Sequence, residues 1–357
     1  MKYFALTLML SASALAAQPP RVINTQFNTE SASAGLSATV ARLQRTAQPL
    51  WLGYEVPALP RTNFSACSNF EDARQPEEGC CGEYQLESPR PGFIARDGQS
   101  VAQEPAPASM LYVLLRLDHG AIVKVRPANA GCRLNAGGIP FTWLTDVQPN
   151  DSVAFLAKLA ARPENSEDKR TTEDALVALA MHASPTATTA LASLAESSNP
   201  PRLREKSAFW LGAQRGHEGF QVLQQLITQE QDPKLREKLA FDLSIDSDPA
   251  AIDELLKMAH SDASPQVRGQ AIFWLAQKAG KKAGASITAA IENDPDMQVK
   301  KKAVFALSQL PQDEGVPQLM HVADNNSNPA IRKEAIFWLG QSKDSRALQY
   351  LEAILKR

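Results

Sequence analysis

The sequence predicts an all-α solenoid of paired helices over residues 151–357, preceded by a small β-rich, disulfide-braced region over residues 17–150. Three observations carry that prediction. Five phenylalanines, Phe209, Phe241, Phe273, Phe305 and Phe337, stand at a constant interval of 32 residues. All four cysteines, Cys67, Cys80, Cys81 and Cys132, precede the first of them. Pro and Gly break the first half into short apolar runs and become periodic past Asp151.

Taken in order, Lys2 supplies a short positive segment, Tyr3 to Leu10 an apolar stretch, and Ala14-Leu15-Ala16 a small-x-small cleavage site before Gln18-Pro19-Pro20. Residues 1–16 therefore read as a secretory signal peptide. The run is too short for a membrane anchor, which needs about 20 apolar residues. No cysteine follows the cleavage site to carry a lipid. The mature chain is expected in the periplasm or outside the cell, with no membrane span.

An oxidising compartment favours joining the cysteines in two disulfides. A bridge between the neighbours Cys80 and Cys81 would be strained, so each is expected to reach either Cys67 or Cys132. Zinc is the alternative, weakened by the lack of a Cys-x-x-Cys pair and by His119 being the one histidine nearby.

Within 17–150, the runs Leu50 to Val56, Met110 to Leu117, Ala121 to Arg126 and Ile139 to Leu144 read as strands. Asp118-His119-Gly120 makes a hairpin turn, and Asn135-Ala136-Gly137-Gly138 a second reversal. Leu36 to Ala47 has the pattern of a helix, and Asp97 to Ser109, with Pro105 and Pro107, that of an exposed loop.

Past Asp151 the interval of the phenylalanines recurs in other columns. Two residues after each Phe stand Leu211, Leu243, Leu275, Leu307 and Leu339; six residues before stand Leu203, Leu235, Val267, Val299 and Ile331. A basic column holds Arg204, Arg236, Arg268, Lys300 and Arg332. Ala175, Val177, Leu179 and Leu191 continue the register backwards, so a half-repeat over 151–161 precedes six repeats. Each unit reads as two helices. The first opens on a capping residue and a proline, as in Asn199-Pro200, Asp232-Pro233, Ser264-Pro265, Asp294-Pro295 and Asn328-Pro329. The second carries apolar residues at helical spacing, as in Leu223, Leu226 and Ile227. Neither helix buries its apolar face alone, so the pairs must stack.

The run Val267-Arg268-Gly269-Gln270-Ala271-Ile272-Phe273-Trp274-Leu275 resembles the short bacterial HEAT repeats of the phycobilisome-lyase type. That resemblance covers about 151–357 and implies an α-solenoid. Arrays of this kind are mostly protein-binding scaffolds, and a minority are enzymes or chromophore-attachment proteins. Trp51-Leu52-Gly53-Tyr54 and Gly137 to Leu144 resemble the leaders of secreted HEAT proteins.

Function is read against charge and chemistry. Lys plus Arg number 37 and Asp plus Glu 39, a net charge of −2, which does not favour nucleic acid. The basic column is expected to be structural, with Asp246, Asp248, Asp313 and Asp344 as partners. The Phe column is expected either to pack between repeats or to form a ridge for a partner. Trp210, Trp274 and Trp338 are expected on the core face. His182, His217, His260 and His321 fall at different offsets, so they form no repeated ligand ladder. The deoxyhypusine hydroxylase fold is similar, but of its His-Glu iron-binding pairs only His217-Glu218 is matched. The solenoid holds no cysteine for chromophore attachment. The expectation is an exported scaffold that binds a protein or peptide through a groove lined by the second helices, without catalysis, cofactor or metal. The alternatives are an envelope enzyme or sensor with its site in the N-terminal region, and a chromophore-lyase-like protein. Oligomeric state stays open.

Overall fold

The computed structural model describes residues 19–59, 83–88, 93–94, 110–130, 133–163 and 169–356. The expected signal segment, all four cysteines and the expected loop at 97–109 lie outside the described residues.

Ahead of the helical array stand strands β1 (Val22–Ile23), β2 (Phe27–Ser31), β3 (Leu50–Pro57), β4 (Glu83–Gln85), β5 (Phe93–Ile94), β6 (Met110–Asp118), β7 (Ala121–Asn129), β8 (Arg133–Asn135) and β9 (Phe141–Thr145), with helix α1 (Leu36–Gln44) between β2 and β3. Five strands form one sheet in the order β2-β9-β3-β6-β7, and four form a second in the order β1-β8-β4-β5. Both faces of the larger sheet are covered. Leu52, Tyr54, Val56, Val113 and Leu115 face the helices; Trp51, Tyr112, Leu114, Phe141 and Trp143 meet Tyr84, Leu86 and Leu134 of the smaller sheet's side. Double burial explains why β3 and β6 read as almost unbroken apolar runs. The β6–β7 hairpin turns on His119 (φ 45°) and Gly120 (φ 77°), the left-handed pair that a two-residue turn requires. Helix α1 ends three residues short of Ala47, because Ala47 is left-handed (φ 54°) and Pro49 follows.

The array begins with α2 (Pro149–Ala160). Six pairs follow: α3 (Lys169–Met181) with α4 (Pro185–Ala195), α5 (Pro201–Gln214) with α6 (Gly216–Gln229), α7 (Pro233–Ile245) with α8 (Ala251–Ser261), α9 (Pro265–Ala279) with α10 (Gly284–Asn293), α11 (Met297–Ser308) with α12 (Gln312–Asn325), and α13 (Pro329–Gln341) with α14 (Ser345–Leu355). Asp232, Ser264 and Asn328 cap their helices as the sequence suggests. Two starts differ. Pro201 rather than Pro200 takes the first turn of α5, and Asp296 caps α11 while the Asp294 carboxylate is engaged by Arg268.

The Leu211, Leu243, Leu275, Leu307 and Leu339 column is buried throughout. First helices pack on first helices from α3 to α13, more closely than second helices pack on one another. At Gly212 the approach is tightest, since an added Cβ would lie 2.5 Å from the Asp242 carbonyl oxygen of the next first helix.

The sheet is fused to this array. α3 packs on β7, the end of β3 bonds to the end of α3 through Leu59 N to Met181 O (2.9 Å) and Ala183 N to Pro57 O (2.9 Å), and one apolar core runs from β3 and β6 to α14. Among the described residues no helix is long and apolar enough to cross a membrane.

Replacing the fully buried Leu275 by Ala is expected to cost about 2 to 5 kcal/mol in urea unfolding followed by circular dichroism. A loss below about 1 kcal/mol would show that the repeat register is wrong.

Candidate binding surface

Stacking the first helices brings residues one repeat apart into ring contact. Phe209 stacks on Phe241 with centroids 6.2 Å apart, and Phe273 on Phe305 at 5.8 Å. Tryptophans bridge the gaps between these pairs. Trp274 lies 4.8 Å from both Phe241 and Phe273, Trp338 lies 4.7 Å from Phe305 and 5.0 Å from Phe337, and Trp210 meets Phe209 at 5.0 Å. The result is an unbroken aromatic ladder from α5 to α13, at separations within the favourable range for ring pairs.

Its alternation is written in the residue after each Phe: Trp210, Asp242, Trp274, Ala306, Trp338. A smaller side chain in every second repeat leaves room for the indole of the next. The true period is therefore two repeats. Phe209, Phe241, Phe273 and Phe305 are half-buried and Phe337 is 53% exposed, so the Phe column both packs between repeats and faces outward. The tryptophans depart from expectation: they rest on the core with one edge but are themselves half-buried members of the ladder.

One turn N-terminal to the ladder runs a basic margin. Lys206, Lys238 and Lys302 stand three residues before their Phe, Lys301 and Lys333 four before, on the same helix face. Lys206, Lys238, Lys302 and Lys333 are exposed. The Lys302 stem lies across Gly269, where an added Cβ would meet Lys302 Cδ at 2.6 Å, so its methylenes extend the apolar strip and its ammonium reaches water. Glu205, Glu237 and Glu334 interrupt the margin, and Glu205 pairs with Lys238 at 3.6 Å. Within the ladder Asp242 is buried, and its Oδ2 and the Trp274 Nε1 find no hydrogen-bond partner. Burial first, then the charge of Glu205, push the Asp242 carboxyl well above its ordinary range against the pull of Lys238.

The basic column of the repeats lies elsewhere. Arg236 grips Asp262 with two hydrogen bonds (2.8 and 3.0 Å) and donates to Glu230 O (3.0 Å). Arg268 repeats this on Asp294 (2.8 and 2.9 Å) and Asp262 O (2.9 Å). Arg204 pairs with Glu230. The partners are thus the acids at the ends of the second helices, not Asp246, Asp248, Asp313 or Asp344. The reason is polarity: the Arg sits near the start of its first helix, where second helices end and present bare carbonyls. Arg236 and Arg268 so clamp two successive second helices each. Lys300 donates to Glu292 O (2.7 Å), and Arg332 to Asn326 O and Ser327 O (2.8 and 3.2 Å), with no carboxylate bonded to either among the described residues. Asn326 stands where the three preceding repeats carry Glu230, Asp262 and Asp294, and an open cleft of about 410 Å³ lies between Lys300, His321 and Asn325.

The sequence reading missed a buried polar chain between sheet and array. Tyr54 OH lies 2.9 Å from Ser152 Oγ, Ser152 Oγ 2.8 Å from His182 Nε2, and His182 Nδ1 2.7 Å from Ala178 O. Arg215 donates to His182 O (2.6 Å), Ser184 O (3.0 Å) and Thr188 Oγ1 (2.9 Å), closing the end of α3. Ser152 and His182 are both 0% exposed, so no substrate reaches them as they stand. Their service is to lock β3, α2 and α3 together. Burial holds the His182 imidazole neutral, its pKa lowered to about 4 with help from Arg215 and against the Ala178 hydrogen bond. Nearby, Arg126 is buried against Asp174 (2.7 Å), whose pKa burial raises to about 6 despite Arg126 and Arg170. His217 pairs with Asp248 at 2.6 Å, and Glu218 accepts from Thr188; the His217-Glu218 pair is divided between two structural contacts.

Residues 284–357 match the family of HEAT repeats, so the chain carries HEAT repeats. No curated protein matches the sequence. Among solved structures, human deoxyhypusine hydroxylase in complex with glycerol is similar at 18% identity and TM-score 0.32, over 58% of this chain and 80% of that one. The complex of CpcE and CpcF of phycocyanin lyase from Nostoc sp. is similar at 24% identity and TM-score 0.33, over 44% of this chain and 100% of that one. Kap121p bound to Ste12p is similar at 18% identity and TM-score 0.34, over 54% of this chain and 23% of that one.

His182 gives the junction a pH dependence of defined sign. Its folded pKa of about 4 lies below the ordinary 6.5, so the unfolded chain binds the extra proton between those values. Its contribution to stability is complete above about 6.5 and is lost as pH falls towards about 4. Thermal melts across that window are expected to show a shallower loss for His182→Gln than for the parent chain; equal slopes would contradict the assignment.

Proposed function

We propose that the chain is an exported scaffold that binds a protein partner along the aromatic ladder of its first helices. One observation carries this: a half-buried aromatic strip continuous over five repeats, bordered on one side by exposed lysines. Aromatic side chains held rigid by their neighbours lose little freedom on binding, and they rank among the strongest interface anchors. The partner that fits is an extended segment with apolar side chains towards the ladder and carboxylates towards Lys206, Lys238, Lys302 and Lys333. The groove this implies is on the first helices, the closer-packed layer, rather than the second. Export and the pairing of Cys67, Cys80, Cys81 and Cys132 belong to the same proposal, supported by the segment order of residues 1–16 and by the cysteine count.

The test uses the protein isolated from its source envelope, where mass spectrometry should find a chain lacking residues 1–16. Phe305→Ala with Lys238→Glu and Lys302→Glu is expected to weaken partner binding by at least about tenfold, roughly 1.4 kcal/mol. The helical circular dichroism should persist. Unchanged affinity in a folded triple variant would refute the ladder as the binding face.

A further inference from the structure

The column of cations that clamps the second helices is interrupted inside the array, between α10 and α12. Arg204, Arg236 and Arg268 each hold a carboxylate 26 residues ahead, on Glu230, Asp262 and Asp294. In Asp262 and Asp294 the two oxygens divide the work. Oδ1 accepts the backbone N–H two residues on, from Ser264 and Asp296 (both 2.8 Å), and Oδ2 accepts from the arginine Nε. At the next step both members change, to Lys300 and Asn326. Asn326 Oδ1 still accepts the backbone N–H two residues on, from Asn328 (3.0 Å). The arm that takes the arginine elsewhere is therefore an amide Nδ2 here, a donor. Two donors meet where a donor and an acceptor met before.

Among the described residues no carboxylate lies within ion-pair distance of the Lys300 ammonium, and the adjoining Asp294 is already taken by both arms of Arg268. Lys300 and Asn326 both line the open cleft of about 410 Å³. His321 lines it too, and Asn325 Nδ2 donates to its Nδ1 (3.1 Å), which puts the proton of the neutral imidazole on Nε2. Buried Ile291 and Val322 supply the apolar part of the lining. We infer that this cleft binds a single carboxylate on a short apolar stem, in the position that the Asp262 and Asp294 carboxylates fill in their own repeats. The Lys300 ammonium supplies the charge and the Asn326 amide the second donor, so the ligand completes from outside a clamp that the chain elsewhere closes on itself. Exposed Glu292 on the same lining opposes a second negative charge on the ligand. The cleft shares no lining residue with the aromatic ladder, so this site stands or falls apart from the proposed partner face.

Equilibrium dialysis of the full chain against isotope-labelled butyrate and against a labelled, blocked tripeptide with a central glutamate tests it. At least one of the two is expected to bind: butyrate alone assigns a free acid, the tripeptide alone a partner's side chain, and either supports the inference. Asn326→Asp restores the acid of the preceding repeats, which should pair with Lys300 and weaken carboxylate binding by at least about tenfold; Lys300→Met should do the same by removing the charge. Glu292→Gln should leave binding intact or strengthen it. Absence of binding by both probes to the parent chain, or parent affinity in folded Asn326→Asp or folded Lys300→Met, would overturn the inference.

Discussion

Everything in this molecule depends on the lateral packing of one first helix against the next. A single helix pair leaves its apolar face open, and the leucine two residues past each Phe is buried only because a neighbouring repeat arrives. Small residues set how near the neighbour comes, with Gly212 against the Asp242 carbonyl as the closest approach. At the far edge of the layer, Arg236 and Arg268 tie the ends of successive second helices to their acids and carbonyls. Packing and clamps together bring side chains one repeat apart into contact along the array.

The aromatic ladder is a consequence of that spacing. Rings placed once per repeat arrive 5.8 to 6.2 Å apart when they stack directly, and an indole bridges them at 4.7 to 4.8 Å where they do not. The same rings that stabilise repeat against repeat thereby present their outer edges in a line. Phe209, Phe241, Phe273 and Phe305 are half-buried, packed against neighbouring rings and still partly open to solvent. The sheet at the other end serves a matching purpose: it closes the array where a repeat would otherwise be missing a neighbour.

Sequence periodicity revealed the helical array because each structural column has its own residue type at a fixed interval, and the hairpin at His119-Gly120 because left-handed turns restrict residue choice. It located the ladder and put the tryptophans on the core side, where they do pack, but helical projection of one repeat cannot show that Trp274 also leans across to Phe241 of the preceding one. The arginine partners were misplaced for a similar reason. Asp262 and Asp294 are 26 residues beyond their Arg in sequence, and only the direction in which the helices run shows which loop they reach. The Tyr54–Ser152–His182 chain was illegible, as its members come from three elements far apart in sequence and repeat nowhere.

The central claim is that partners dock on the first-helix face, and cross-linking of the native complex through lysine amines tests it most directly. The account predicts that partner cross-links map to Lys206, Lys238, Lys302 and Lys333 beside the ladder. Cross-links concentrated instead on Lys257, which lies exposed on the second helix α8, would contradict it.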